Sequence, residues 1–196
     1  MEGLERLLIQ LKDVAAAGRD AVLEAVIGDI TSYGSKAVPA LEGYSVDDSQ
    51  DLRWWALRGL AEIDSPAIPA ILCRALQDPV VSVRQCAVLG LQRHPSAECI
   101  ADLLVCLRDA DPLLSGLAGN ALVAVGREAV PGLLQTMEIG QPAARLQAVK
   151  ALAAIGDPRA VPALLKAIQD GDTSLVEYWA DLGLERMGVG MSFFMP

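Results

Sequence analysis

The chain has 196 residues and a formal net charge of −9, and it is 53% hydrophobic yet only 4% aromatic. This acidic balance argues against nucleic acid and anionic membrane as partners, because both require clustered lysine and arginine. No apolar run approaches the roughly 18 residues of a membrane span, and the N-terminal MEGLERLLIQ lacks the basic start of a signal peptide. The sequence therefore predicts a soluble, cytoplasmic protein.

One short phrase recurs along the chain with a period of about 31 residues. It reads AVPAL at 37–41, AIPAI at 67–71, CIADL at 99–103, AVPGL at 129–133 and AVPAL at 160–164. A second marker, an alanine with a leucine four residues later, follows each copy: Ala56, Ala87, Ala118, Ala148 and Ala180. Self-similarity at such a period is the signature of a repeat architecture.

Each unit of the repeat is predicted to contain two helices. The proline of the phrase suits the first turn of helix A, where its missing N–H would have no intrahelical partner. An acidic turn then precedes helix B, and its carboxylates are expected to cap that helix. These acids are Asp47 and Asp48, Asp78, Asp109 and Asp111, Glu138, and Asp170 and Asp172. The residues at which helix B is predicted to end are Asp64, Pro95, Gly126, Gly156 and Gly188.

The pattern predicts an all-α fold, an α-solenoid (alpha-alpha superhelix) of about six two-helix repeats. The repeats fall at about 4–36, 37–66, 67–97, 98–128, 129–159 and 160–188. They are expected to form a single domain over 1–188, because one helix pair cannot bury enough apolar area alone and its neighbours must cover it. The apolar C-terminal tail, 189–196, is expected either to fold back over the last repeat or to support self-association.

Two aromatic pairs, Trp54–Trp55 and Tyr178–Trp179, occupy the same two positions of helix B in repeats two and six. The second member of each pair has a glycine four residues later on the same helix face, so Trp55 and Trp179 are interpreted as packing residues. The first members, Trp54 and Tyr178, share their faces with polar residues and are expected to meet water. Trp54 either binds a partner or shields its own repeat, and a cation–π contact with Arg58 is available to it.

His94 is the only histidine, and the four cysteines contain no CxxC pair. No zinc spacing exists, and no Ser–His–Asp or Cys–His set can be assembled around a histidine at a helix end. His94 is interpreted as a partly buried residue whose ring nitrogens are satisfied. The residues interpreted as reduced core thiols are Cys73, Cys86, Cys99 and Cys106. We therefore expect no metal, no cofactor and no catalytic residue.

Three longer phrases resemble a known repeat family. They are AVPALLKAIQDGD, DPVVSVRQCAVLGL and ARLQAVKALAAIGDPRAVPALL. Through them the chain resembles, over about 37–188, a HEAT-like repeat protein of the PBS (phycobilisome) lyase class. The resemblance implies that an arginine early in helix B pairs with acids of the preceding turns. Arg53, Arg84 and Arg145 match that position, whereas Ser115 and Glu177 depart from it.

The resemblance also implies that helix B lines the concave side of the solenoid. Side chains in register with the aromatic pairs then form a candidate binding stripe along that side. The stripe consists of Trp54, Arg58, Glu62, Gln85, Leu89, Arg93, Asn120, Lys150, Tyr178 and Leu182.

The first functional hypothesis is a non-catalytic HEAT-like repeat scaffold or adaptor. It would bind a partner protein on its concave helix-B face, and the acidic turns would steer basic partners. The alternative, which the resemblance and the phrase RWWA at 53–56 imply, is a phycobilin lyase-type or bilin-handling subunit. A linear tetrapyrrole would stack on tryptophan while an arginine pairs with its propionates. If the protein is an enzyme, we expect a lyase of the bilin-attachment type.

Two other activities of related folds are excluded by composition. A di-iron hydroxylase needs several His–Glu pairs, and a HEAT-like DNA glycosylase needs a basic groove. One histidine and a net charge of −9 provide neither.

Overall fold

The computed structural model describes residues 2–16, 20–171 and 173–189. These residues form twelve α-helices and contain no strand, which confirms the all-α solenoid class. The helices group into two compact units, residues 1–94 and residues 95–196. No helix in the described ranges is both long enough and apolar enough to cross a membrane.

Unit 1 (residues 1–94) contains three consecutive helix pairs. They are α1 (Glu2–Ala16) with α2 (Asp20–Thr31), α3 (Val38–Tyr44) with α4 (Gln50–Leu60), and α5 (Ile68–Ala75) with α6 (Val81–Arg93). The second helices stack on one another, since α4 packs against both α2 and α6. The predicted helix A and helix B are therefore present in each of the first three repeats.

Unit 2 (residues 95–196) contains three further pairs. They are α7 (Ile100–Leu107) with α8 (Pro112–Val125), α9 (Val130–Ile139) with α10 (Pro142–Ile155), and α11 (Val161–Gln169) with α12 (Ser174–Arg186). Helix α10 packs against α8, α9 and α12, so the second helices stack here as they do in unit 1. The apolar tail lies outside the described residues, apart from Val189, whose N–H donates to the carbonyl of Leu184 at 2.9 Å.

The predicted markers occupy the core. Each marker alanine (Ala56, Ala87, Ala118, Ala148 and Ala180) is 0% exposed. The leucine four residues after each of them is at most 3% exposed: Leu60, Leu91, Leu122, Leu152 and Leu184. Prolines open four of the first helices, at Pro39, Pro69, Pro131 and Pro162. The recurring phrase therefore marks the starts of the first helices, and the alanine–leucine marker identifies buried positions of the second helices.

The acidic turns cap fewer second helices than the sequence predicts. Asp111 caps α8 by accepting from the N–H of Leu114 at 2.7 Å. Elsewhere a hydroxyl takes this role, because α4 is capped by Ser49 and α12 by Thr173. Glu138 instead lies within the last turn of α9. Asp170 lies at the C-terminal end of α11, and Asp172 is outside the described residues. No acid caps α10, whose N-cap is Gln141 without a side-chain hydrogen bond.

The glycines that follow the aromatic pairs allow close approach of neighbouring helices. A Cβ built on Gly183 would lie 2.7 Å from the Cβ of Ala153 and 2.9 Å from its Cα. The nearest atoms to a Cβ on Gly59 belong to the flexible side chains of Ile27 and Leu41, at 3.3 Å. Each glycine therefore lies against a neighbouring helix.

The outer side of α12 carries an acidic stripe, Glu177, Asp181 and Glu185, spaced four residues apart. The position one residue after the marker alanine is exposed at Asp181, yet it is buried in the four preceding repeats: Leu57, Val88, Gly119 and Val149. The position five residues after the marker packs on the next helix pair, as the approach of Ala153 to Gly183 shows. The stripe thus occupies the side of α12 that corresponds to the packed side of the preceding second helices.

The expectation of four reduced thiols is wrong for two of them. Cys73 and Cys99 are disulfide-bonded, whereas Cys86 and Cys106 remain thiols and are buried. The histidine prediction is confirmed for burial and for one ring nitrogen: the Nε2 atom of half-buried His94 lies 2.9 Å from the carbonyl oxygen of Ala61. Because a carbonyl oxygen only accepts, Nε2 carries the proton in this contact.

Candidate binding face

Nine of the ten stripe residues predicted from the sequence lie on second helices, Glu62 follows the end of α4, and none of the ten is buried. Trp54, Arg58 and Glu62 follow one another at four-residue intervals on or just beyond α4, and the same spacing recurs in the later repeats. Leu89 is 48% exposed and Tyr178 is 59% exposed, which is high for large apolar side chains. The remaining members are Gln85, Arg93, Asn120, Lys150 and Leu182, of which Arg93 and Asn120 are exposed. Six members lie in unit 1 and four in unit 2.

In unit 1 an ion-pair network joins three second helices. The Arg58 guanidinium donates to Glu62 Oε1 at 2.6 Å and to Glu24 Oε1 at 2.8 Å, and Arg93 donates to the same Glu62 oxygen at 2.5 Å. The hydrogen bond from Arg93, aided by that from Arg58, lowers the pKa of Glu62 against the opposing effect of burial. These contacts hold the charged part of the face in one arrangement.

Glu24 is the member of this network that the sequence reasoning missed. It lies two residues before Val26, which takes the marker-alanine position in repeat one, so it is in register with Trp54. Extending the stripe into the first repeat by this register would have found it.

The first aromatic pair borders an open cleft. The ring centroids of Trp54 and Trp55 are 4.8 Å apart with an interplanar angle of 82°, an edge-to-face arrangement. Trp55 is only 7% exposed, which agrees with its interpretation as a packing residue, whereas Trp54 is half-buried. The cleft has a volume of about 370 Å³ and is lined by Gln50, Asp51, Trp54, Trp55 and Ser82. We call it the tryptophan cleft.

Arg53, beside the tryptophan pair, is fully engaged in structural contacts. Its Nε and Nη2 atoms donate to the two carboxylate oxygens of Asp78 at 2.7 and 3.0 Å, and Nη1 donates to the carbonyls of Asp47 and Asp48. The side chain is 12% exposed, and the hydrogen bond to Asp78 raises its pKa. The paired carboxylate therefore belongs to the following turn, and the preceding turn supplies carbonyls instead of the predicted acids.

In unit 2 the second aromatic pair is associated with a lysine. Tyr178 and Trp179 again meet edge to face, with centroids 5.5 Å apart and an angle of 80°. The Nζ atom of Lys150 lies 5.3 Å from the centroid of the Trp179 ring, within the range of a cation–π contact. The predicted contact between Arg58 and Trp54 is not formed, because Arg58 is bound to two carboxylates.

Two features of the described residues concern metal binding and thiol reactivity. No three His, Cys, Asp or Glu side chains among them group so as to hold a metal ion. Burial raises the pKa of the Cys86 thiol to about 12, with a small opposing effect of Arg58, so this thiol stays protonated near neutral pH. Its Sγ atom lies 3.6 Å from the carbonyl oxygen of Trp54.

Comparison with known proteins agrees with this architecture. The family model of HEAT repeats matches residues 36–114 and 100–185. Two crystal structures of engineered proteins are each 21% identical to this chain with a TM-score of 0.62; one alignment covers 97% of this chain and 98% of the other, and the second covers 95% and 99%. A designed armadillo repeat protein in complex with the peptide (KR)4 is 19% identical, with a TM-score of 0.59 and coverage of 94% and 99%.

At these identities the solved structures show a shared fold alone. A search of curated proteins gives no match. The narrower resemblance to the PBS lyase class stays a prediction. The repeat period, the buried markers and a family model that matches more than half of the residues lead to one conclusion: the chain belongs to the HEAT-repeat family.

Proposed function

We propose that this protein is a non-catalytic scaffold that binds a partner protein along its second helices. The observation that carries the proposal is the exposure of large apolar side chains on that face, Leu89 in unit 1 and Tyr178 in unit 2. In each unit this side chain lies among polar members of the stripe, and apolar residues with a polar border are typical of an interaction site. Trp54 lies half-buried in the same register, and tryptophan, tyrosine and arginine are the residues that most often anchor interfaces.

The charged residues of the face favour a defined geometry of binding. Arg58 and Arg93 both bind Glu62, so their side chains are already ordered before a partner arrives. Ordering a long side chain on association costs about 0.5–1.5 kcal/mol, and a side chain that is ordered beforehand avoids most of that cost.

The charge of the chain favours a basic partner. A net charge of −9 attracts cationic proteins and accelerates their association at low ionic strength. A repeat protein of similar fold, the designed armadillo repeat protein, forms a complex with the basic peptide (KR)4. This supports the view that a repeat protein of this fold can accept a basic segment.

The alternative of a phycobilin lyase-type or chromophore-handling subunit has one observation in its favour, the tryptophan cleft, which could stack a tetrapyrrole ring. The arginine that precedes the tryptophans in RWWA is Arg53, and its donors are already bound to Asp78 and to two carbonyls. The scaffold function therefore has the stronger support.

The test compares two triple variants in partner capture from extract of the source cells. The face variant carries Trp54→Ser, Leu89→Ser and Tyr178→Ser. The control variant carries Ile9→Ser, Val105→Ser and Leu165→Ser, which remove exposed apolar side chains from first helices. We expect proteins identified by mass spectrometry to be retained by the wild type and the control and lost from the face variant. Equal retention by all three proteins would contradict the proposal.

A titration with a free bilin separates the two functions. The scaffold function predicts an unchanged absorbance spectrum. A red shift of the bilin that Trp54→Ala abolishes would instead support the chromophore-handling alternative.

A further inference from the structure

We propose that the tryptophan cleft of unit 1 receives a lysine or arginine side chain of the partner protein. The inference rests on the proposed scaffold function and adds the chemistry of the anchoring group. It concerns residues at the beginning of α4 and α6, where Gln50, Asp51, Trp54, Trp55 and Ser82 line the cleft.

The two indole rings provide the surface that a cation prefers. In an edge-to-face pair the ring that presents its edge keeps both of its own faces clear of its partner. The face of an indole carries negative charge density, and tryptophan is the strongest of the aromatic residues in cation–π contacts. An ammonium or guanidinium group entering the cleft can therefore stack on a ring, while its aliphatic stem covers apolar surface.

Asp51 provides the negative charge for the same group. Its side chain is exposed, lines the cleft and takes part in no ion pair in the described part of the chain. The arginines on its own helix are committed elsewhere: Arg53 binds Asp78, and Arg58 binds Glu24 and Glu62. No resident cation therefore neutralises Asp51, and a cation from outside meets both a carboxylate and an aromatic face.

The surrounding charge selects a cation over an anion. The segment DDSQD at 47–51 contains three carboxylates in five residues. An incoming lysine or arginine is attracted to this segment, whereas an acidic or phosphorylated side chain is repelled.

Unit 2 contains an example of the same chemistry within the chain. Trp179 takes the position of Trp55 in its repeat, and the ammonium group of Lys150 lies 5.3 Å from its ring centroid. The residue in register with Lys150 ahead of the first aromatic pair is Gly28, which has no side chain to offer. One aromatic pair thus receives a cation from its own chain, and the other receives none from the residues that the structure describes.

The experiment titrates the full chain with the octapeptide (KR)4 as the basic probe. Affinity is measured by calorimetry, and the site is identified from the three indole N–H signals in a ¹⁵N-labelled sample. We expect the signals of Trp54 and Trp55 to shift with the peptide, while that of Trp179 stays unchanged.

Two single substitutions test the two parts of the cleft. Trp54→Ala and Asp51→Asn should each weaken binding of the peptide about 3- to 30-fold. The separate variant Trp54→Phe should retain most of the wild-type affinity, because it keeps an aromatic face. Both residues are at least partly exposed, so the fold is expected to survive, and circular dichroism checks it.

Matched controls separate the cleft from general attraction by negative charge. Asp181→Asn removes the same charge from an exposed residue of unit 2, and Tyr33→Ala removes an exposed aromatic residue that lies outside the candidate binding face. Neither should change the affinity by more than about twofold. Equal losses from Asp51→Asn and Asp181→Asn, or no binding of the peptide at all, would overturn the inference.

The outcome is distinguishable from failure of the scaffold function. If partner capture still requires the exposed apolar residues but the peptide does not bind in the tryptophan cleft, the scaffold function is retained. The proposal that the cleft binds a lysine or arginine side chain is then wrong. If capture is independent of that face, the scaffold function itself fails.

Discussion

The two aromatic pairs differ in their surroundings although they occupy equivalent positions. In unit 2, Lys150 lies over Trp179, while Tyr178 extends into solvent with 59% of its surface exposed. In unit 1, Trp55 is almost completely buried and Trp54 borders a cleft that contains Asp51. The comparison teaches that a repeat position does not carry a fixed role, because the neighbouring repeat decides which groups surround it.

The first way to test this difference is to delete the buried ring of each pair. We expect Trp55→Ala to lower the free energy of unfolding by about 3–5 kcal/mol, as large truncations in a packed core do. Trp179 is half-buried, so Trp179→Ala should cost about half as much. Urea unfolding followed by circular dichroism measures both values. Equal losses would mean that the two rings are packed alike.

The second prediction compares the glycines behind the two pairs. Gly183→Ala should destabilise the protein by about 1–3 kcal/mol, because its Cβ would lie 2.9 Å from the backbone Cα of Ala153. Gly59→Ala should change stability by less than about 1 kcal/mol, because the ends of Ile27 and Leu41 can move and alanine favours the helix. The same urea unfolding experiment reports both, and a larger loss at Gly59 would reverse the comparison.

The third and smallest effect contrasts the buried carboxylates of the two units under acid. The hydrogen bonds that Arg159 donates, from its side chain and its N–H, lower the pKa of Asp157 to about 2. The unfolded value is about 3.9, so this contribution to stability is complete above about pH 4 and is lost as the pH falls towards 2. In unit 1, burial tends to raise the pKa of Asp78, whereas the hydrogen bond from Arg53 lowers it. The net effect is still a lowered pKa, but the two causes partly cancel.

We therefore expect Asp157→Asn to remove more of the acid sensitivity than Asp78→Asn does. Urea midpoints measured at pH 4, 3 and 2 provide the comparison. A pH dependence left unchanged by Asp157→Asn would show that this carboxylate does not control acid unfolding.

The repeat architecture was predictable because its signals are local. Proline at a helix start and an alanine–leucine spacing of four residues act within one helix, and the structure buries Ala56 and Leu60 as that spacing requires. Helix capping was less predictable, since Ser49 and Thr173 compete with nearby carboxylates for the same N–H groups.

The contacts of the candidate face were only partly predictable, because they depend on neighbouring repeats. The sequence placed Arg58 and Glu62 in the candidate stripe and offered Arg58 a contact with Trp54, but it did not predict the carboxylates that bind Arg58. Glu24 was missed because the stripe was not extended into repeat one, where Val26 takes the marker position. The two disulfide-bonded cysteines escaped for a related reason: bonding of thiols depends on proximity in space, and their spacing in sequence carries no signal of it.

The three carboxylates on one side of α12 have a consequence for whatever packs against them. Any surface that covers Glu177, Asp181 and Glu185 has to remove their water. An apolar surface bears the full cost of that dehydration, whereas lysine or arginine side chains compensate for it by pairing with the carboxylates.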